Sequence, residues 1–220
     1  MPPARGGHAD DIVRAGVSRF RPLPRSFYRR PAESVARDLL GRFLVRELSG
    51  KRLVLRLVET EAYLGEPDRA SHAWAGRRTP RNESLYLPGG YAYVYMIYGM
   101  HFCLNAVTGE AEVGSAVLLR AGEPVEGEER MRENRALARA PRPGDLAGGP
   151  GKICQALAIG RELDGAPLDH PPLYITKGEP VAAEEIVASP RIGVDYAGDA
   201  ALWPLRFSVR GHPHVSRPRP

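Results

Sequence analysis

The sequence predicts one mixed α+β domain in which a curved, mainly antiparallel β-sheet is flanked by helices. Its 220 residues suffice for one well-packed core. A content of 43% hydrophobic and 26% charged residues is typical of a globular protein. Strand-like segments cluster before a long helical segment and again near the C-terminus, without the regular alternation of strands and helices that a doubly wound sheet requires.

The chain begins with a segment that has no sustained period. Residues 1–24 are interrupted by Pro and Gly and carry several arginines, which predicts a flexible, basic N-terminal arm. The domain is expected over residues 25–216, with a short tail at 217–220. After Pro31, apolar residues recur at helical spacing as far as Gly41, which predicts the first helix.

Five segments rich in β-branched and aromatic residues follow. Four of them form two pairs separated by short turns, which predicts two antiparallel hairpins, and the fifth predicts a further strand. Tyr98 directly precedes Gly99 and is expected near the tip of the second hairpin. The segments are residues 42–48, 52–64, 91–98, 101–107 and 115–121.

The second half of the chain predicts two helices and several short strands. Residues 123–137 have acids in their first half and arginines in their second, the polarity that a helix dipole favours. A Pro-, Gly- and Arg-rich loop at 139–149 leads into a helix expected at 152–159. Short strands and turns complete the chain.

Composition excludes several classes of protein. No apolar segment approaches the roughly 20 residues that cross a bilayer, and no signal segment is evident, so we expect a cytoplasmic, nucleoid-associated protein. A net charge of +5 favours polyanionic partners. Cys103 and Cys154 lie among apolar neighbours and are expected to be core thiols. No metal or cofactor is expected.

Two acids and a tyrosine share one face of the second predicted strand. Alternation places Glu59, Glu61 and Tyr63 on the same side. The two carboxyl groups could disfavour each other's ionisation or divide catalytic and structural roles. The commoner interpretation of such a pair is ion pairing with arginines on a solvated surface.

Aromatic and basic residues surround this strand in the sequence. Tyr98 is either a wedge for insertion between base steps or a core tyrosine. His72 could stack or form a hydrogen bond, but it lacks the partners of a zinc motif. Arg77, Arg78 and Arg81 offer phosphate contacts, although such a cluster is usually solvated surface.

The glycine-rich segment at Gly149 resembles a phosphate-binding loop but fails the nucleotide triphosphate motif. Leu146 occupies the position of the first glycine, and Ile153 follows the lysine where the motif has Ser or Thr. Free amides at the helix start and the side chain of Lys152 could still hold a backbone phosphate, and helix capping explains the segment equally well.

Six ordered segments together resemble the alkyladenine (3-methyladenine) DNA glycosylase family of the single-domain type. The resemblance extends from about residue 27 to residue 216, and six segments are far more specific than one short motif. The segments read VETEAYLGEPDRASH, RRTPRN, YVYMIYGMHFCLN, VLLRAGEP, GGPGKICQAL and RIGVDYAG.

The resemblance implies a repair enzyme that acts on damaged double-stranded DNA, and we expect this enzyme to be monofunctional and a monomer. It would flip an alkylated or deaminated purine, such as 3-methyladenine, hypoxanthine or ethenoadenine, and hydrolyse the N-glycosidic bond. By the family's motifs, Glu61 is the general base for water, which Arg120 and the backbone carbonyl of Val194 help to hold.

The same resemblance implies roles for the aromatic residues. Tyr63, His72 and Tyr95 would enclose the flipped base, and Tyr98 would fill the gap left in the duplex. Asn105 would act as a steric check against the amino group of guanine.

Other functions remain as alternatives. A zinc nucleobase deaminase requires His-x-Glu and Pro-Cys-x-x-Cys, and both patterns are absent. A non-catalytic nucleic-acid-binding module would explain the charge and Tyr98, but not two acids beside a basic loop, since carboxylates repel phosphates. Lys51, Lys152 and Lys177 lie outside the acidic and aromatic segments, so no Schiff-base lyase activity is expected.

Overall fold

The computed structural model describes residues 20–220, so most of the predicted N-terminal arm lies outside the described residues. Within this range nine strands form one sheet in which every pairing is antiparallel, which confirms the predicted α+β class. The strands are β1 (Phe43–Leu48), β2 (Lys51–Tyr63), β3 (Ala92–Ile97), β4 (His101–Thr108), β5 (Ser115–Glu126), β6 (Asp169–His170), β7 (Leu173–Thr176), β8 (Ile186–Ser189) and β9 (Arg206–Val209).

Four α-helices pack around the sheet in the described part of the chain. The main path of the sheet runs in the order β3-β4-β5-β2-β1-β7-β6, and β9 pairs with both β2 and β8. None of the helices in residues 20–220 has the length and apolar character needed to cross a bilayer. The helices are α1 (Arg25–Tyr28), α2 (Ala32–Leu39), α3 (Glu128–Asn134) and α4 (Pro150–Ala156).

The long central strand β2 carries both acids. Its 13 residues pair with β5 along one edge, with register shifts. On the other edge, β1 pairs with its first half and β9 pairs with Glu59–Glu61. The acidic segment is therefore flanked by strands on both sides, and Glu59 and Glu61 are fully buried.

An irregularity between β2 and β5 places an arginine beside these acids. The register passes from Glu59 opposite Ala121 to Thr60 opposite Leu119, so Arg120 has no partner residue on β2. Such bulges bend a strand and re-aim a side chain. Arg120 contacts both carboxylates as a result.

The core lies between the sheet and helices α2 and α4. Val35, Ala36 and Leu39 of α2 are fully buried, and the Thr60 hydroxyl donates a hydrogen bond of 2.8 Å to the Ala36 carbonyl. Cys154 of α4 is also buried. Cys103 and Cys154 are both free and buried, which confirms the prediction of core thiols. Burial raises the pKa of both thiols.

The predicted helix at 123–137 is wrong in its first part. Strand β5 continues to Glu126, and α3 starts only at Glu128. Glu126 forms a 3.0 Å ion pair with Arg52 of β2, so this acid supports the sheet instead of a helix dipole. Gly127 between the two elements has a φ of +79°, and a side chain there would collide with the Arg52 carbonyl.

The last residues of the predicted arm pack on the domain. Phe20 and Leu23 are buried, and the Leu23 amide donates a hydrogen bond of 2.8 Å to the Ile175 carbonyl. The ring of Phe20 lies 5.9 Å from that of Phe43, edge to face. The remaining predicted helices and hairpins are confirmed, within one to three residues at their ends.

Candidate active site

Glu61 is held by three donors at a fully buried position of β2. Its Oε2 accepts a 3.0 Å hydrogen bond from the Tyr63 hydroxyl and lies 3.2 Å from a terminal nitrogen of Arg120. Its Oε1 accepts a 2.8 Å hydrogen bond from the Ile192 amide. Together the three donors fix the orientation of the carboxyl group.

Glu59 lies on the other side of the same arginine. Its Oε1 is 3.0 Å from Arg120 Nε and 2.7 Å from Arg206 Nε. Burial acts to raise the pKa of Glu59, but Arg120, Arg206 and two hydrogen bonds from Ser216 hold that pKa below its ordinary value. The commoner interpretation, ion pairing on a solvated surface, is therefore right about the ion pairs and wrong about the surface, because both acids are buried.

A cavity of about 260 Å³ opens in front of these charged residues. Three of its aromatic residues contact one another. The ring of His72 lies 4.6 Å from that of Tyr95, and Tyr93 and Tyr95 lie 5.3 Å apart. The structure brings eight of the predicted site residues to this cavity, namely Tyr63, His72, Arg81, Tyr95, Tyr98, Asn105, Arg120 and Val194.

Glu61 itself is behind the cavity wall. It has no exposed surface, and it is in contact with three residues of the cavity lining, Tyr63, Arg120 and Ile192. Burial, followed by the charge of Glu61, raises the pKa of Tyr63 well above its ordinary 10, so its hydroxyl remains a donor at neutral pH.

The histidine of the cavity is neutral at pH 7. His72 Nδ1 lies 2.7 Å from the Tyr93 hydroxyl. Part of His72 is open to solvent. The pKa of His72 is nevertheless lowered below its ordinary 6.5, mainly by desolvation among the aromatic rings and then by the charges of Arg81 and Arg77. Sequence reasoning did not assign Tyr93 to the site, although its position two residues before Tyr95 places both on one strand face.

Two further predicted residues, Asn105 and Val194, line the cavity. The Asn105 side-chain amide donates a 3.0 Å hydrogen bond to the Tyr93 carbonyl, which fixes its orientation. The Val194 carbonyl accepts a 2.8 Å hydrogen bond from the Ala197 amide. Because a carbonyl oxygen has two lone pairs, the Val194 carbonyl can accept one further hydrogen bond.

A buried ion pair that the sequence did not reveal supports the wall next to Glu61. Arg191 and Asp68 are both fully buried and form two hydrogen bonds, of 2.5 and 2.8 Å. Arg191 also donates to the Ala62 carbonyl and lies 4.8 Å above the ring of Tyr63. This pair joins the segment after β2 to the loop that supplies the Ile192 amide.

Tyr98 lies at the tip of the β3–β4 hairpin, as predicted. It is 82% exposed and has a φ of +54°, which is unusual for a residue with a side chain. Tyr98 also lines the cavity, so the same side chain borders the cavity and projects into solvent.

The predicted phosphate-binding residues separate into three environments. Arg77 and Arg81 line a groove of about 410 Å³ that adjoins the cavity through His72. Arg78 forms ion pairs with Glu83 and Glu112 and is therefore already neutralised.

Lys152 lies in a separate groove near the start of α4. Its ammonium donates a 3.1 Å hydrogen bond to the Gly144 carbonyl. The groove is also basic, and the arginines that sequence reasoning missed there are Arg139, Arg142, Arg217 and Arg219.

An oriented carboxylate beside an aromatic cavity, with an exposed tyrosine and basic grooves around it, is the type of site that enzymes acting on an extruded nucleic-acid base possess. Residues 26–213 match the model of the methylpurine-DNA glycosylase family, so the chain belongs to that family. The family predicted from the sequence motifs is thereby confirmed.

Relatives from distant organisms are similar over nearly the whole domain. A Methanocella arvoryzae protein is 52% identical over 199 residues, which cover 90% of this chain and 97% of the relative. A Myxococcus xanthus protein is 50% identical over 198 residues, 90% of this chain and 95% of the relative. Both carry the name "Putative 3-methyladenine DNA glycosylase". The human DNA-3-methyladenine glycosylase is 45% identical over 199 residues, 86% of this chain and 66% of the human protein.

Proposed function

We propose that this protein is a monofunctional DNA glycosylase that flips a damaged purine from duplex DNA and hydrolyses its N-glycosidic bond. The observation that carries the proposal is the buried carboxylate of Glu61, which Arg120, Tyr63 and Ile192 orient behind an aromatic cavity. Membership of the methylpurine-DNA glycosylase family supports the same reaction.

In the proposed reaction, water is the nucleophile and the purine is the leaving group. The bond between the purine nitrogen and C1′ breaks with its electron pair on the purine, and the sugar gains the character of an oxocarbenium ion. Glu61 stabilises this positive charge and accepts a proton as the water oxygen bonds to C1′. Arg120 and the Val194 carbonyl hold the water, as donor and acceptor respectively.

The cavity suits a flat and positively charged ring. Tyr63, His72 and Tyr95 offer aromatic faces, and aromatic faces attract a cationic ring such as 3-methyladenine in DNA. His72 is neutral at pH 7, so it does not repel such a cation. We propose that Asn105, which is oriented by its hydrogen bond to the Tyr93 carbonyl, excludes guanine by a steric clash with the guanine amino group.

The surface around the cavity suits a duplex from which one base has been removed. We propose that Tyr98 enters the gap and that Arg77, Arg81 and Lys152 contact backbone phosphates. Arg78, the fourth predicted contact, would first have to exchange Glu83 and Glu112 for phosphate. We also propose that the protein acts as a monomer.

The lack of a lysine in the cavity lining of residues 20–220 favours simple hydrolysis. None of the chain's lysines, Lys51, Lys152 and Lys177, lines the aromatic cavity. A Schiff base with C1′ requires such an amine. We therefore propose that the product is an intact strand with an abasic site.

Base release from defined duplexes tests this proposal. Purified protein is incubated with duplexes that contain 3-methyladenine, hypoxanthine or ethenoadenine, and free base and alkali-labile sites are measured. Release of 3-methyladenine without strand cleavage is the expected result, and neutral lesions, which need protonation of the leaving base, should react faster at lower pH. Tight duplex binding without release from any lesion would favour the alternative of a non-catalytic nucleic-acid-binding module.

A further inference from the structure

The segment after β9 returns to the centre of the sheet and contacts Glu59. The Ser216 amide donates a 2.7 Å hydrogen bond to Glu59 Oε2, and the Ser216 hydroxyl donates a 2.8 Å bond to Oε1. Arg206 of β9 adds the 2.7 Å contact to Oε1. Ser216 is 5% exposed and Arg206 is 3% exposed, so this contact is closed to solvent.

The same cluster reaches Glu61 through one guanidinium group. Arg120 donates from Nε to Glu59 at 3.0 Å, and its terminal nitrogens lie 3.2 Å from Glu61 and 3.4 Å from the Ser216 hydroxyl. A guanidinium group is planar and rigid. Fixing its Nε edge on Glu59 therefore fixes the edge that faces Glu61.

The C-terminal segment is itself held by this cluster. Arg206 donates to the carbonyls of Ser216 and Pro218, at 3.3 and 2.9 Å. Two carboxylates and two guanidinium groups then balance in charge within the buried cluster. A neutral cluster of this kind avoids the cost of an uncompensated buried charge.

We propose that Glu59, Arg206 and Ser216 are positioning residues that hold Arg120, and through it Glu61, in the orientation that base release requires. This inference rests on the proposed function. It also assigns Glu59 no role as an acid, because the charges around Glu59 hold its pKa below the ordinary value and keep it ionised. The C-terminal segment thus completes the active site although no residue of it lines the cavity.

The first test replaces Ser216 and Arg206 and compares each with a matched control. Ser216→Ala removes one buried hydroxyl, and Ser115→Ala removes another that bonds only to Thr108. Arg206→Met removes one buried arginine, and Arg46→Met removes another, which lies on β1 and donates hydrogen bonds to the backbone carbonyls of Glu47 and Pro172. Rates of base release are measured in a single turnover at saturating protein, with duplex affinity measured alongside.

A positioning role predicts slower chemistry with unchanged binding. Misplacement of a catalytic group by about 1 Å can cost on the order of 100-fold in rate, so we expect about tenfold for Ser216→Ala and about 100-fold for Arg206→Met, with affinity unchanged. The controls should keep the wild-type rate.

The pH profile provides a readout that a purely structural role would not move. Arg206→Met leaves two carboxylates against one guanidinium group, so the acid limb of the rate profile should move to higher pH. The double variant Glu59→Gln/Arg206→Met restores the charge balance and should return that limb towards its wild-type position. The other titratable groups that face Glu61 are unchanged in these variants, and they are Tyr63, Tyr95, Cys103 and Arg191.

The outcomes separate this inference from the proposed function. An inactive wild-type protein refutes the function and with it the inference. An active wild type in which folded Ser216→Ala and Arg206→Met keep the wild-type rate and pH profile refutes the inference alone. If Arg206→Met does not fold, the contrast between Ser216→Ala and Ser115→Ala decides the question.

Discussion

Replacing Tyr98 by glycine should separate stability from DNA binding. Tyr98 is 82% exposed, so its ring contributes little to the packing of the free protein. Its φ of +54° lies in the left-handed region, which costs a residue with a side chain about 1–2 kcal/mol and glycine almost nothing. The Tyr98→Gly variant therefore removes backbone strain and the proposed wedge together.

The two effects have opposite signs and estimable sizes. Glycine loses more backbone entropy on folding, about 0.5–1 kcal/mol, which offsets part of the relieved strain. The free energy of unfolding should stay constant or rise by up to about 1 kcal/mol. Loss of one stacking aromatic costs about 1–3 kcal/mol in binding, which corresponds to a dissociation constant about 5- to 150-fold higher.

Urea denaturation measures the first effect, and fluorescence anisotropy with a lesion-containing duplex measures the second. Ser49→Gly is a matched control, because Ser49 is exposed at the β1–β2 turn with a φ of +50° and lies away from the cavity. It should gain similar stability and keep wild-type affinity. A Tyr98→Gly variant that is destabilised by more than about 1 kcal/mol, or that binds the duplex as well as the wild type, refutes this reasoning.

Three further predictions concern charge. Asp68→Asn should lower the free energy of unfolding by about 3–5 kcal/mol, because it leaves the Arg191 charge buried without its partner; a loss below about 1 kcal/mol in urea denaturation contradicts this. The pKa of Glu59 is lowered from its ordinary 4.5, so the contribution of the ionised carboxylate to stability is complete above that pH and is lost as the pH falls further. A Glu59→Gln variant should therefore lose less stability in acid than the wild type loses. The same pH dependence of stability in both proteins would argue against this prediction. Arg81→Ala should reduce the salt dependence of duplex binding by about one phosphate contact. Arg78→Ala should reduce it less, because Arg78 is already paired with Glu83 and Glu112. Equal effects of the two substitutions would contradict this difference.

Local patterns were sufficient for most of the fold. Alternation placed Glu59 and Glu61 on one strand face, and both contact the same arginine in the structure. Tyr98 before Gly99 indicated the hairpin tip. The helix at 123–137 failed because its acids support the sheet, a tertiary effect that local charge polarity does not reveal.

Long-range contacts explain what sequence reasoning missed in the site. Asp68 and Arg191 are 123 positions apart, and Glu59 and Ser216 are 157 apart, so no local pattern links either pair. The approach of Arg120 to both acids depends on a register shift between strands. The family motifs predicted Arg120, but the spacing of residues along β5 did not.

The Glu61→Gln variant tests the central claim most directly. Glutamine has nearly the same shape and can accept the hydrogen bonds made to one of the two carboxylate oxygens, either from Tyr63 or from Ile192, but it is a far weaker base. General-base catalysis contributes about 100- to 10,000-fold, so single-turnover release of 3-methyladenine should fall by about that factor while the affinity for the lesion duplex is retained or increased. Release at the wild-type rate by a folded Glu61→Gln protein would contradict the assignment of Glu61 as the base.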